Sequence, residues 1–117
     1  RKCMLMFDDN PNVIRWASEE LAIPYVSPVD RKRHKYYPDF LIEMKNRKGQ
    51  IETVLIEVKP YKQTQVPAKP KRRTKTFENA AKTYLVNQAK WDAAKIVCEN
   101  KGWEFKILTE KEIYGKR

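Results

Sequence analysis

Two apolar alternations separated by a polar turn constrain this chain more than any other stretch of it. Phe40, Ile42 and Met44 alternate before the turn, and Val54, Ile56 and Val58 alternate after it. Side chains on a strand point to opposite faces with a period of two. Burying all six on one face therefore requires Phe40 opposite Ile56 and Ile42 opposite Val54. The predicted turn is then residues 46–50, or a shorter one with a bulge. The same register sets Asp39 opposite Glu57 and Tyr37 opposite Lys59, whereas a slip by one residue sends the two carboxylates to opposite faces. Acidic groups on strands this apolar are costly unless paired or bound to a cation.

Directly opposed residues have Cβ atoms ~4.5–5.5 Å apart, close enough for two carboxylates to share a divalent ion. Left unshared, their repulsion raises one of the two pKa values. Mg²⁺ suits such a pair, because it takes a few carboxylate oxygens and keeps several waters; Mn²⁺ is the alternative. One retained water can attack phosphorus while the metal polarises the phosphate. Lys59, on the same face as Glu57, is placed to orient that water or to offset charge on the pentavalent phosphorus. The plainer alternatives are a polar strand-entry residue at Asp39 and an exposed, salt-bridged strand face at Glu57 and Lys59.

The net charge of +10 and pI near 9.7 point to a polyanionic partner, nucleic acid first. The alternative is a basic protein without one. Its 117 residues suffice for one domain with a real core. Cys3 and Cys98 are too far apart to suggest a disulfide framework or a zinc site, and both are read as reduced thiols of a cytosolic protein. His34 is the single histidine, which excludes multi-histidine metal centres. No apolar run approaches the ~20 residues of a membrane span, and no signal-peptide pattern is present.

Along the chain, residues 1–9 read as the tail of a helix stopped by Asn10-Pro11. Residues 13–16 and 21–25 read as edge strands or extended connections, 28–35 as a basic loop, and 36–44 and 51–59 as strands. A basic, proline-rich loop follows over 61–75, then helical sequence over 76–101. A helix break near Val86 is expected, with Asn87 capping a second helix whose face carries Trp91, Ala94 and Cys98. Gly102 ends the helix, 103–108 alternates as a last strand, and Thr109 to Glu112 matches a capping box.

The Pro38-Asp39, spacer, Glu57-x-Lys59 pattern resembles the signature of the PD-(D/E)XK nuclease superfamily. The likeness widens to the head-completion nucleases of T-even-like phages in the runs NPNVIRWASEELAIPY (10–25), YYPDF (36–40), IEVKP (56–60), VNQAKWDAA (86–94) and WEFKILTE (103–110). TnsA-like transposon endonucleases resemble the chain over 13–59. The resemblance implies an α/β, restriction-endonuclease-like core, a central mixed β-sheet flanked by α-helices, occupying residues 1–117 as one nuclease domain. It implies Mg²⁺- or Mn²⁺-dependent hydrolysis of DNA, with Asp39 and Glu57 as metal ligands and Lys59 as the catalytic lysine. It also implies a role at phage DNA ends beside head or packaging proteins, in the bacterial host cytoplasm or on the virion. The alternatives are a TnsA-like or junction-resolving endonuclease, and a DNA-binding or virion structural module that keeps the fold without turnover.

These families carry a further acidic ligand on a helix before the first strand. The missing Glu is expected just upstream of Arg1, and Asp8, Asp9, Glu19 and Glu20 are the candidate substitutes, with Glu19 preferred as the possible third ligand.

Phosphate contacts need Lys and Arg on surfaces beside the site. Arg31, Lys32, Arg33, His34 and Lys35 lead directly into Asp39, and Lys69, Lys71, Arg72, Arg73 and Lys75 populate the proline-rich loop. Lys62, Gln63, Asn87 and Lys90 are further candidates. A solvated charge run is the alternative for each cluster. Tyr36, Tyr37 and Tyr61 are read as packing before stacking on a base, and Trp16, Trp91 and Trp103 as core. No residue suggests base-edge readout, so weak sequence preference is expected.

Overall fold

Strands β4 (Phe40–Lys45) and β5 (Ile51–Val58) pair antiparallel with Phe40 opposite Ile56 and Ile42 opposite Val54, the register that the apolar alternation requires. Residues 46–50 close the hairpin without a bulge. The turn is held by Asn46, whose Oδ1 accepts from the backbone N–H groups of Lys48 and Gln50, each at 2.9 Å. Gly49 takes φ 80°, where a β-carbon would be strained. The computed structural model describes residues 10–18 and 20–113; the expected helix tail over 1–9, Cys3, Asp8, Asp9 and Glu19 lie outside the described residues.

β1 (Val13–Ser18) joins the free edge of β4 antiparallel, and β6 (Glu104–Leu108) joins β5 in parallel, giving the order β1-β4-β5-β6. A parallel neighbour requires a long crossover, which helix α1 (Lys75–Lys101) supplies. The two faces of this mixed sheet bury different clusters. On one, Phe40, Ile42, Val54 and Ile56 pack with Trp16, Leu108 and Ile113 of the short helix α2 (Glu110–Ile113). On the other, Leu55 packs with Trp91, Ala94 and Cys98 of α1, together with Ile23 and Tyr36.

Helix α1 is continuous, so the expected break near Val86 does not occur. Asn87 sits inside it, buried at 4% exposure, as the first member of the stripe Asn87, Trp91, Ala94, Cys98. That stripe recurs at helical spacing, and packing of one face outweighs the capping preference of a lone Asn. The N-cap is instead Thr74, whose Oγ1 accepts from Phe77 N–H at 3.1 Å. Gly102 ends the helix in the left-handed region, φ 73°.

The stretch read as a basic loop contains strand β3 (Arg33–Tyr36), which pairs with β2 (Ile23–Val26) as a separate two-stranded sheet. Tyr36 therefore belongs to β3, opposite Ile23, and the next strand begins only at Phe40. Pro38, lacking an N–H donor, separates the two. The expected loop over 61–75 opens with a 3-10 turn, Tyr61–Thr64. The capping box forms: Thr109 Oγ1 accepts from Lys111 N–H at 3.1 Å while Glu112 Oε1 accepts from Thr109 N–H at 2.7 Å. No helix among the described residues is long and apolar enough to cross a membrane.

Candidate active site

Asp39, Glu57 and Lys59 come together at the end of the β4–β5 hairpin, on the face covered by α1. The register that buries Phe40 against Ile56 turns the next pair, Asp39 and Glu57, to this opposite face beside Leu41 and Leu55. Asp39 Oδ2 accepts from the backbone N–H of Val58 at 2.8 Å, which extends the hairpin ladder by one side-chain bond. Asp39 Oδ1 has no hydrogen bond among the described residues. Glu57 is buried, at 5% exposure. The exposed-strand alternative for Glu57 is thereby overturned, because a solvated face cannot contain a carboxylate this enclosed.

Three groups act on Glu57. The Tyr36 hydroxyl donates to Glu57 Oε1 at 2.6 Å, and Lys59 Nζ stands 3.6 Å from Glu57 Oε2. Burial raises the carboxyl's pKa and the nearby Asp39 charge adds to that, while the Tyr36 hydrogen bond and Lys59 pull it down; the net shift is upward. Tyr36 is itself raised, first by burial and then by its hydrogen bond to Glu57, so its hydroxyl stays a donor. The Trp91 indole N–H acts on the Tyr36 oxygen in the opposite direction, yet it is buried with no partner in hydrogen-bond geometry.

The donor set is two carboxylates beside a lysine, with Glu57 Oε2 facing the Lys59 ammonium. Only oxygens are offered, and few of them, which fits a hard ion that keeps several waters. Among the described residues no group of three His, Cys, Asp or Glu side chains converges to complete a larger set.

The first basic cluster lies on the β2–β3 hairpin, whose last residue is the Tyr36 that holds Glu57. Arg31, at φ 61°, and Lys32 occupy its tip, and Arg33, His34 and Lys35 are exposed along β3. His34 Nε2 is engaged by Asp30 at 2.9 Å and the ring stacks on Tyr25 at 5.7 Å, an arrangement that does not aim it at the carboxylates. Lys90 of α1 lies 5.7 Å from the Tyr36 ring centre. Lys62 and Gln63 sit in the 3-10 turn just beyond Lys59. Lys69, Lys71, Arg72, Arg73 and Lys75 are exposed; Arg73 pairs with Glu78 at 2.7 Å, a surface bridge of little energetic weight.

Of the aromatic residues, Tyr36 and Trp91 are buried, Trp16 and Trp103 pack against the two clusters, and Tyr61 lies under Lys111 at 3.6 Å. Tyr37 stands half exposed. Sequence reasoning missed Tyr36 as the partner of Glu57. Its signal was the pairing of Ile23 with Tyr36, hidden behind the three exposed residues Arg33, His34 and Lys35, which show no alternation.

A mixed sheet carrying two carboxylates and a lysine at the end of one hairpin, with a helix closing over them, defines an α/β protein of nuclease-like fold. The family model described as TnsA-like endonuclease N terminal matches residues 10–110, and the chain belongs to that family. This match runs well past the 13–59 over which the TnsA-like resemblance is legible in the sequence. The chain is also similar to the head completion nuclease of Enterobacteria phage T4, 43% identical over 107 residues that cover 88% of this chain and 69% of that protein. No solved structure matches the chain.

Proposed function

We propose that this chain is a Mg²⁺- or Mn²⁺-dependent DNA endonuclease that acts on phage DNA ends during packaging or head completion. Family membership and the similarity to a phage head completion nuclease support a nuclease role. The observation that carries the chemistry is the burial of Glu57 beside Asp39: a protein without turnover gains nothing from two adjacent carboxylates that a neutral pair would replace at lower cost.

Asp39 and Glu57 would hold the ion through their carboxylate oxygens. When bound, a divalent ion polarises a phosphate oxygen and lowers the pKa of a coordinated water. The hydrogen bond from Tyr36 fixes the Glu57 carboxylate, and that from Val58 fixes Asp39, so both are oriented before substrate arrives. Lys59 offsets negative charge that develops on the phosphoryl oxygens. The basic β2–β3 hairpin and Lys90 flank this centre and supply phosphate contacts that carry no sequence information.

Conversion of supercoiled plasmid to nicked or linear product tests the proposal. Cleavage that requires Mg²⁺ or Mn²⁺ and stops with chelator is expected; equal cleavage in chelator would contradict the metal dependence.

A further inference from the structure

Beyond the carboxylate site, the β2–β3 hairpin and α1 flank an open pocket of about 340 Å³. Tyr25, Asp30 and His34 line it from the hairpin, and Lys82, Asn87 and Lys90 from the helix. Its lining is rich in donors. Among the described residues, Lys82 and Lys90 make no ion pair. The Asn87 amide nitrogen is buried with no hydrogen-bond partner. The one acid, Asp30, is already occupied: Oδ1 accepts from Lys32 N–H at 2.9 Å, and His34 Nε2 reaches Oδ2 at 2.9 Å. Backbone and imidazole contacts accordingly hold its carboxyl below the usual range. A pocket with two ammonium groups, an orphaned amide and a single acid whose oxygens are already taken up by hydrogen bonds favours an anion.

Lys90 links this pocket to the carboxylate site. Its ammonium lies 6.0 Å from the Tyr25 ring centre and 5.7 Å from that of Tyr36, whose hydroxyl binds Glu57. An anion seated here is therefore a near neighbour of anything bound at Asp39 and Glu57. We propose that the pocket is a phosphate subsite, which takes a backbone phosphodiester of the same DNA a short distance from the bond that is cut. The inference rests on the reading of the chain as a protein that acts on DNA.

Binding of a fluorescent duplex in chelator, across a salt series, tests it apart from cleavage. Lys82→Ala is expected to weaken binding several-fold and to lower the slope of log K against log salt by about 1, the signature of one lost phosphate contact. Asn87→Asp, close in shape, is expected to weaken binding further by setting a carboxylate against the phosphate. Lys95→Ala, an exposed α1 residue outside the pocket, is the control and should change the affinity less. With a neutral methylphosphonate moved stepwise along the duplex, one position should weaken the parent but not Lys82→Ala. Parent-like affinity and slope in both pocket variants would overturn the subsite while leaving the nuclease reading intact. Binding of inorganic phosphate to the pocket, with DNA affinity unchanged by Lys82→Ala, would assign it to a free anion and also overturn the proposal. A parent chain that binds no DNA would overturn both readings.

Discussion

The Tyr36 hydroxyl donates a 2.6 Å hydrogen bond to Glu57 Oε1, joining β3 of the two-stranded sheet to β5 of the central one. Tyr36→Phe removes the donor and keeps the buried ring. Partners that orient a metal ligand typically contribute about 10- to 100-fold in metal affinity or activity. The variant is expected to need more Mn²⁺ for half-maximal cleavage and to lose about 1–2 kcal/mol of stability. Metal titration of the cleavage rate, with urea unfolding alongside, checks both. An unchanged metal response would remove Tyr36 from the site.

The raised pKa of Glu57 has a definite consequence for stability. Its neutral form is favoured in the folded protein, so the metal-free fold is best stabilised below the ordinary carboxyl range and loses that stability as pH rises through the raised pKa. Glu57→Gln removes the loss. In chelator at neutral pH the variant should melt above the parent, with a flatter dependence of Tm on pH through the acid range. Cleavage should be abolished. A lower Tm than the parent at neutral pH would show that the ionised carboxylate is stabilising.

Proton and metal compete for the same carboxylate. Cleavage is therefore expected to fall, as pH is lowered, at a higher pH than an ordinary Glu would set. Raising the Mn²⁺ concentration should shift that acid limb downward. A limb that does not move with metal would assign it to another group.

Gly102 closes α1 at φ 73°, and a β-carbon built there meets no atom within 4 Å. Gly102→Ala should therefore cost only the backbone term, about 1–2 kcal/mol, without loss of the fold. Thermal unfolding gives the value, and a change near zero would mean that the helix end adjusts out of the left-handed region.

Legibility followed the strength of the alternation. The central hairpin was readable because Phe40, Ile42, Val54 and Ile56 all require one buried face, and only one register satisfies them. With that register came the juxtaposition of Asp39 and Glu57. The β2–β3 hairpin was not readable, because Arg33, His34 and Lys35 are all exposed and mask a strand held by Ile23 and Tyr36 alone. Asn87 misled for a related reason. Its capping preference is local, whereas the helix is continued by tertiary packing of Trp91, Ala94 and Cys98. The pocket between hairpin and helix depends on both of these elements, so no local pattern announced it.

The central claim is that Asp39, Glu57 and Lys59 form one hydrolytic centre. Plasmid nicking in Mg²⁺ by the parent chain, Asp39→Ala and Lys59→Ala tests it most directly, with unfolding curves confirming that each variant is folded. Both variants are expected to lose nearly all cleavage, and Lys59→Ala to keep its affinity for DNA within a few-fold. Cleavage at the parent rate in either folded variant would contradict the assignment.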